Sequence, residues 1–104
     1  MMTEEQKASI LVDLKGKLQI TWDSENDTRI LSSLINDAEY VMNHKLGSEL
    51  DYSEPGLFHD IFLNYCWYVR MGCSHEFDKA YKSELIMLRN YCEVKRYEES
   101  NPEA

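Results

Sequence analysis

The sequence predicts an all-α protein, a small bundle of about four helices arranged around one apolar helix. Three observations carry this. Apolar residues recur at helical spacing in four separate segments. The β-branched runs that mark strands are missing. Two Pro and four Gly in 104 residues leave little room for long irregular segments. A chain of this size buries roughly 65% of its extended-chain surface, enough for one core.

The elements follow in order. Residues 3–18 form the first helix, with Thr3 and Gln6 as a capping box. Ile10, Leu11, Leu14 and Leu18 share one side, Lys7, Asp13, Lys15 and Lys17 lie largely on the other, and Gly16 weakens the last turn. Residues 19–22 make a short extended link whose Ile20 and Trp22 plug the join between two helices. Asp23 to Asp27 offers capping oxygens and negative charge at a helix N-terminus. A calcium loop would need a central Gly and a Glu at its twelfth position, and neither is present, so the cap is the better reading.

Residues 26–46 form the clearest amphipathic helix. Ile30, Leu31, Leu34, Ile35, Ala38, Val41, Met42 and Leu46 make its apolar face, opposite Arg29, Ser33, Asn36, Asp37, Glu39 and Asn43. Gly47 stops it. Ser48 to Ser53 is an ordered loop from which Leu50 and Tyr52 fold back on the core. The central helix spans 54–71, capped by Ser53, with Glu54 and Pro55 in its first turn and left-handed Gly72 after its end. It is apolar on most sides, so it needs neighbours on most sides; Phe62 and Trp67 belong in the core. The last helix spans 75–97, capped by Ser74, with Phe77, Tyr81, Leu85, Leu88 and Cys92 along one face. Residues 1–97 thus make one domain, and 98–104 read as a flexible acidic tail.

The formal charge of −8 is spread over both halves: residues 1–52 carry 5 Lys/Arg against 10 Asp/Glu, residues 53–104 carry 6 against 9. A phosphate-neutralising patch is therefore not expected, nor is a recognition helix for DNA. An acidic surface suits a DNA mimic, or a wall that DNA slides past; its bland role is solubility. No apolar run approaches the ~20 residues that cross a bilayer, so no membrane is expected. An odd number of cysteines, Cys66, Cys73 and Cys92, argues for a reducing compartment. Cys66 and Cys92 read as small buried hydrophobes and Cys73 as the most exposed thiol.

Reactive chemistry is hard to assemble. His59, Cys66 and Cys73 stand seven apart, too wide for zinc ligands on a helix. His59 and Asp60 are helical neighbours and point about 100° apart. His44 and His75 sit near helix ends, in solvent. No phosphate loop or nucleophile elbow occurs. The expectation is a protein that is not an enzyme and takes no cofactor or metal. What stands out is an aromatic surplus, and Tyr65, Tyr68, Tyr81, Tyr91 and Tyr97 are the candidate protein-interface residues.

One resemblance covers nearly the whole chain. It runs through Leu14 to Asp23, Asp27 to Ile30, Leu34 to Ala38, Leu46-Gly47 and Leu50 to Tyr52. Its strongest block is Pro55-Gly56-Leu57 followed by Leu63 to Arg70, and Glu76-Phe77 and Tyr81 to Leu85 close it. In this order and spacing the chain resembles the head-tail connector (head-completion) proteins of tailed phages and prophages; Met71 to Cys73 departs from the polar turn expected there. The resemblance implies a virion structural protein at the head–tail interface, assembled in the bacterial host cytoplasm. It implies a homo-oligomeric ring on the portal protein, with a dodecamer as the expected form and a monomer as a form in isolation. The ring extends the DNA channel without binding DNA specifically and offers a docking face to a tail-completion or stopper protein. The alternative is an acidic helical binding protein, a DNA mimic or antitoxin-like inhibitor.

Overall fold

The structure is a computed structural model that describes residues 1–20 and 24–100. Among them there is no strand; five helices follow in order: α1 (Glu4–Lys17), α2 (Glu25–Leu46), α3 (Leu57–Arg70), α4 (Ser74–Ala80) and α5 (Lys82–Ser100). The all-α bundle is as the sequence predicts. Trp22 and Asp23, expected to plug and cap the α1–α2 join, lie outside the described residues; Ile20 packs against the core.

α1 starts at the predicted capping box. The Thr3 hydroxyl accepts from the Gln6 N–H at 3.2 Å, and Gln6 Oε1 accepts from the Thr3 N–H at 2.8 Å. α2 starts on Ser24, whose hydroxyl accepts the Asp27 N–H at 3.1 Å. α1, α2 and α3 end in the same way, with a left-handed residue and two N–H groups turned back onto orphan carbonyls. After α2 the residue is Gly47 (φ 68°), with Gly47 N–H on His44 O and Ser48 N–H on Asn43 O. After α3 it is Gly72 (φ 77°), as predicted, with bonds to Val69 O and Tyr68 O. After α1 it is Gln19 (φ 57°), a residue with no glycine's freedom.

The core lies between α2 and α3. α2 packs against α1, α3 and α5; α3 packs against α1, α2 and α4. Leu31, Ile35, Ala38, Met42 and Leu46 face Ile61, Phe62 and Cys66, with Ile10 and Leu14 of α1 and Phe77 of α4 closing the sides. Two expectations for α2 need correction. Glu39 is not solvated: four residues after Ile35 and three before Met42, it is fully buried. Its Oε2 accepts the Met2 N–H at 2.6 Å, and Lys7 Nζ lies 3.9 Å from Oε1, which has no hydrogen-bond partner. Ile30, expected inside, is exposed because it sits about 100° round the helix from Leu31.

Asn43, also expected in solvent, holds the loop to α3. Its Oδ1 accepts from the Tyr52 hydroxyl at 2.8 Å and from the Leu50 N–H at 3.3 Å. Tyr52 is fully buried and stacks on Phe62 at 4.6 Å, so this loop is ordered as expected. The loop also delays α3. Ser53 does not cap it, because its N–H and hydroxyl both turn to Asp51 Oδ1; Glu54 and Pro55 stay outside, and Gly56 (φ 142°) precedes the first turn. Trp67, expected in the core, is 37% exposed.

The predicted final helix is two helices. It breaks at Tyr81 (φ −113°, ψ 20°), whose ring stacks on buried Phe77 at 4.8 Å. Ser74 is the first helical residue, not the cap; Cys73 precedes it with no side-chain cap bond. α5 continues through Ser100, so residues 98–100 of the expected tail are helical, and 101–104 lie outside the described residues. α5 is tied to the end of α2: Arg89 Nη1 donates to Lys45 O at 3.1 Å and Arg96 Nη1 to Gly47 O at 2.9 Å. Those carbonyls carry the negative end of the α2 dipole.

Urea denaturation reads the worth of these ties and turns in four variants. Asn43→Ala strands the buried Tyr52 hydroxyl and the Leu50 N–H and lowers stability by about 2–3 kcal/mol, whereas Tyr52→Phe costs about 1 kcal/mol. Gly47→Ala costs about 1–2 kcal/mol through its backbone alone, since an added Cβ meets Arg89 only at 3.5 Å; Gln19→Gly gains up to about 1 kcal/mol.

Candidate functional site

The five candidate tyrosines separate into two groups. Tyr65 is buried and meets Phe77 edge-on at 4.9 Å. Tyr68 is half-buried and meets Phe77 and Tyr81 edge-on at 5.8 and 5.9 Å. These three rings close around Phe77 and fasten α4 and the start of α5 to α3. Tyr65 is internal packing, which corrects its reading as an interface residue; Tyr68 and Tyr81 pack inside on one edge and keep part of their surface, that of Tyr81 beside Leu57 and Met87. Tyr91 and Tyr97 project from α5, each more than half exposed.

Tyr91 and Tyr97 have company. Ile86, Met87 and Val94 are also more than half exposed. On a 3.6-residue helix these five positions span about 140° of surface, away from the Leu85, Leu88 and Cys92 side that faces the bundle. Leu57 at the start of α3 is exposed beside them, and the Phe58 ring lies 6.0 Å from that of Tyr91. Leu57, Ile61, Met87 and Leu88 line a groove between α3 and α5. This strip was half legible in the sequence. The aromatic count points to Tyr91 and Tyr97, whereas Ile86, Met87 and Val94 lie off the Phe77–Cys92 row that helical spacing marks as buried. Tyr40 was also missed; it lies half a turn from Leu31 and is exposed.

The reactive side chains serve the fold. His59 does not pair with Asp60. Its Nδ1 is 2.7 Å from the Tyr52 carbonyl oxygen, which can only accept, so Nδ1 carries a proton; Nε2 lies 3.2 Å from the Asp13 carboxylate. The ring therefore ties α1, the loop and α3 together. Cys66 is fully buried and Cys92 buried, as expected; Cys73 is only partly exposed. Burial pushes the Cys66 thiol up to about 12, and burial also raises Cys92. Burial raises Tyr52 well above its ordinary value, helped by nearby Cys92 and Glu39. Among the described residues no three His, Cys, Asp or Glu side chains come together to hold a metal. Nor is any helix among them long and apolar enough to cross a membrane.

A wide cleft, about 930 Å³, lies where the end of α2 meets α5. Tyr40, Val41, His44, Glu49 and Arg96 line it, and the Met1 amine sits 3.4 Å from Glu49 at its edge. It is open and holds no pair of groups arranged for acid–base or nucleophilic work. Comparison with protein-family models, with curated proteins and with solved structures gives no match.

Buried neutral thiols and phenols set the alkaline limit. The unfolded Cys66 ionises near 9 while the folded thiol keeps its proton to about 12, so the stability is whole below pH 9 and falls as pH rises above it. Cys66→Ala lowers stability at pH 7 but flattens the loss between pH 9 and 11. Denaturation midpoints across that range check it; an unchanged slope would mean that the thiol is not held neutral.

Proposed function

We propose that the chain is a head-tail connector of a tailed phage or prophage. It forms a ring on the portal protein, extends the DNA channel and presents a face to the next tail-completion protein. The observation that carries this reading is the ordered resemblance from Leu14 to Leu85, strongest in Pro55 to Arg70. Most of that block is α3, and the described residues of its flanking pieces belong to α1, α2, the loop before α3, α4 and the turn into α5. Two physical features support it. A net charge of −8 suits a channel wall that DNA passes without sticking. An apolar strip on α5, with Tyr40 exposed on α2, suits protein contacts rather than a small ligand. On this reading the chain has no catalytic role and works in the virion after assembly in the host cytoplasm.

The same acidity gives the second reading, a DNA mimic that occupies a basic DNA-binding protein. The two part company when the chain is mixed with the portal protein of the same genome and sedimented. A connector adds many copies to each portal ring, and electron microscopy shows an extra tier coaxial with the channel. A chain that leaves portal rings unchanged, and instead displaces DNA from a host DNA-binding protein, is the mimic.

A further inference from the structure

We infer that a second copy of this chain covers the exposed face of α5, as an antiparallel pair of α5 helices. Met87, Asn90, Val94 and Tyr97 follow one another at spacings of three, four and three, the alternation by which two helices keep a common seam. Ile86 and Tyr91 flank that seam and Leu57 widens it. Asn90 is the one polar residue within it. Paired with its own copy, its amide is both donor and acceptor, which fixes register.

Area and charge select the partner. The half-exposed side chains of Leu57, Ile86, Met87, Tyr91, Val94 and Tyr97 offer on the order of 600 Å², at the upper end for a monomer's largest apolar patch. Two such faces bury on the order of 1,200 Å², where stable interfaces begin. Residues 1–81 carry 7 Lys/Arg against 14 Asp/Glu, so two copies repel through most of their surface. α5 carries Lys82, Arg89, Lys95 and Arg96 against Glu84, Glu93, Glu98 and Glu99. It is locally neutral, as α1 and α3 are, and of these three it carries the broadest exposed apolar face, so like copies approach there without added repulsion. The antiparallel sense opposes the two helix dipoles, which a parallel pair would align.

This goes beyond the connector reading and does not rest on it. A two-fold pair closes on itself and cannot propagate around a ring, so it describes the chain before assembly. Sedimentation equilibrium of the full chain, without portal, is the test. The expected result is a monomer–dimer equilibrium at micromolar concentration, weakened at least tenfold by Val94→Lys and by Ile86→Lys with unchanged far-ultraviolet circular dichroism. Val12→Lys, on exposed α1 surface, leaves it unaltered. If either α5 variant unfolds, the other serves, and a crosslink reads the geometry directly. In a Cys73→Ser background, Asn90→Cys oxidises to a disulfide-linked dimer and Val12→Cys does not; Met87→Cys links to Val94→Cys in a mixture and not to itself, which a parallel pair would reverse. A chain monomeric at 100 µM, a dimer indifferent to folded α5 variants, or crosslinking at Val12 instead of Asn90 overturns the proposal. None of these outcomes touches portal binding, which is read separately.

Discussion

The bundle depends on one contact, the stacking of Tyr52 on Phe62 under the hydroxyl bond to Asn43. It brings three parts of the chain together: α2 supplies the acceptor, the loop supplies the ring and α3 supplies the platform. Burying two aromatics there contributes about 2–3 kcal/mol each, a large share of a small domain's net stability. The buried hydroxyl would cost nearly as much if it had no partner. The same loop sets where α3 begins, because residues drawn towards Asn43 and Asp51 cannot also be helical. His59 then locks the arrangement from the α3 side through the Tyr52 carbonyl.

The rest of the molecule hangs on this junction. α1 closes one side and carries Lys7 towards Glu39, the one buried charge among the described residues. α4 closes another, its Phe77 held by three tyrosine rings. α5 is attached along one side of its first half, by Leu85, Leu88, Cys92, the Tyr91 ring beside Phe58 and two arginines on the α2 carbonyls, and from Glu93 to Ser100 every residue is exposed. An element with so little buried surface and so much apolar exposure is the natural place for intermolecular contact.

The sequence made the helical class, the α1 and α2 caps and the Gly47 and Gly72 stops legible, because each is a local matter of spacing and short-range hydrogen bonding. It also made Phe62, Tyr52 and Cys66 legible as core. What it hid was set mostly by tertiary partners, and at Ser53 by a competing acceptor two residues back. Glu39 reads as a surface residue until Met2 and Lys7 are placed beside it. Asn43 reads as solvated until the loop returns to it. Ser53 looks like a cap until Asp51 takes its donors. The division of the last helix at Tyr81 has no glycine or proline to announce it. For the candidate surface, counting aromatics could not separate rings that close on Phe77 from those left outside. That division depends on where α4 ends.

Tyr52, Phe62 and their neighbours form the most closed part of the molecule, and amide hydrogen exchange reads that closure residue by residue. Amides from Ile61 to Cys66 and from Ile35 to Met42 are expected to exchange only through global unfolding, with the free energy that denaturation gives. If they exchange as fast as the amides of the first turn of α1, the α2–α3 junction is not the core of the bundle.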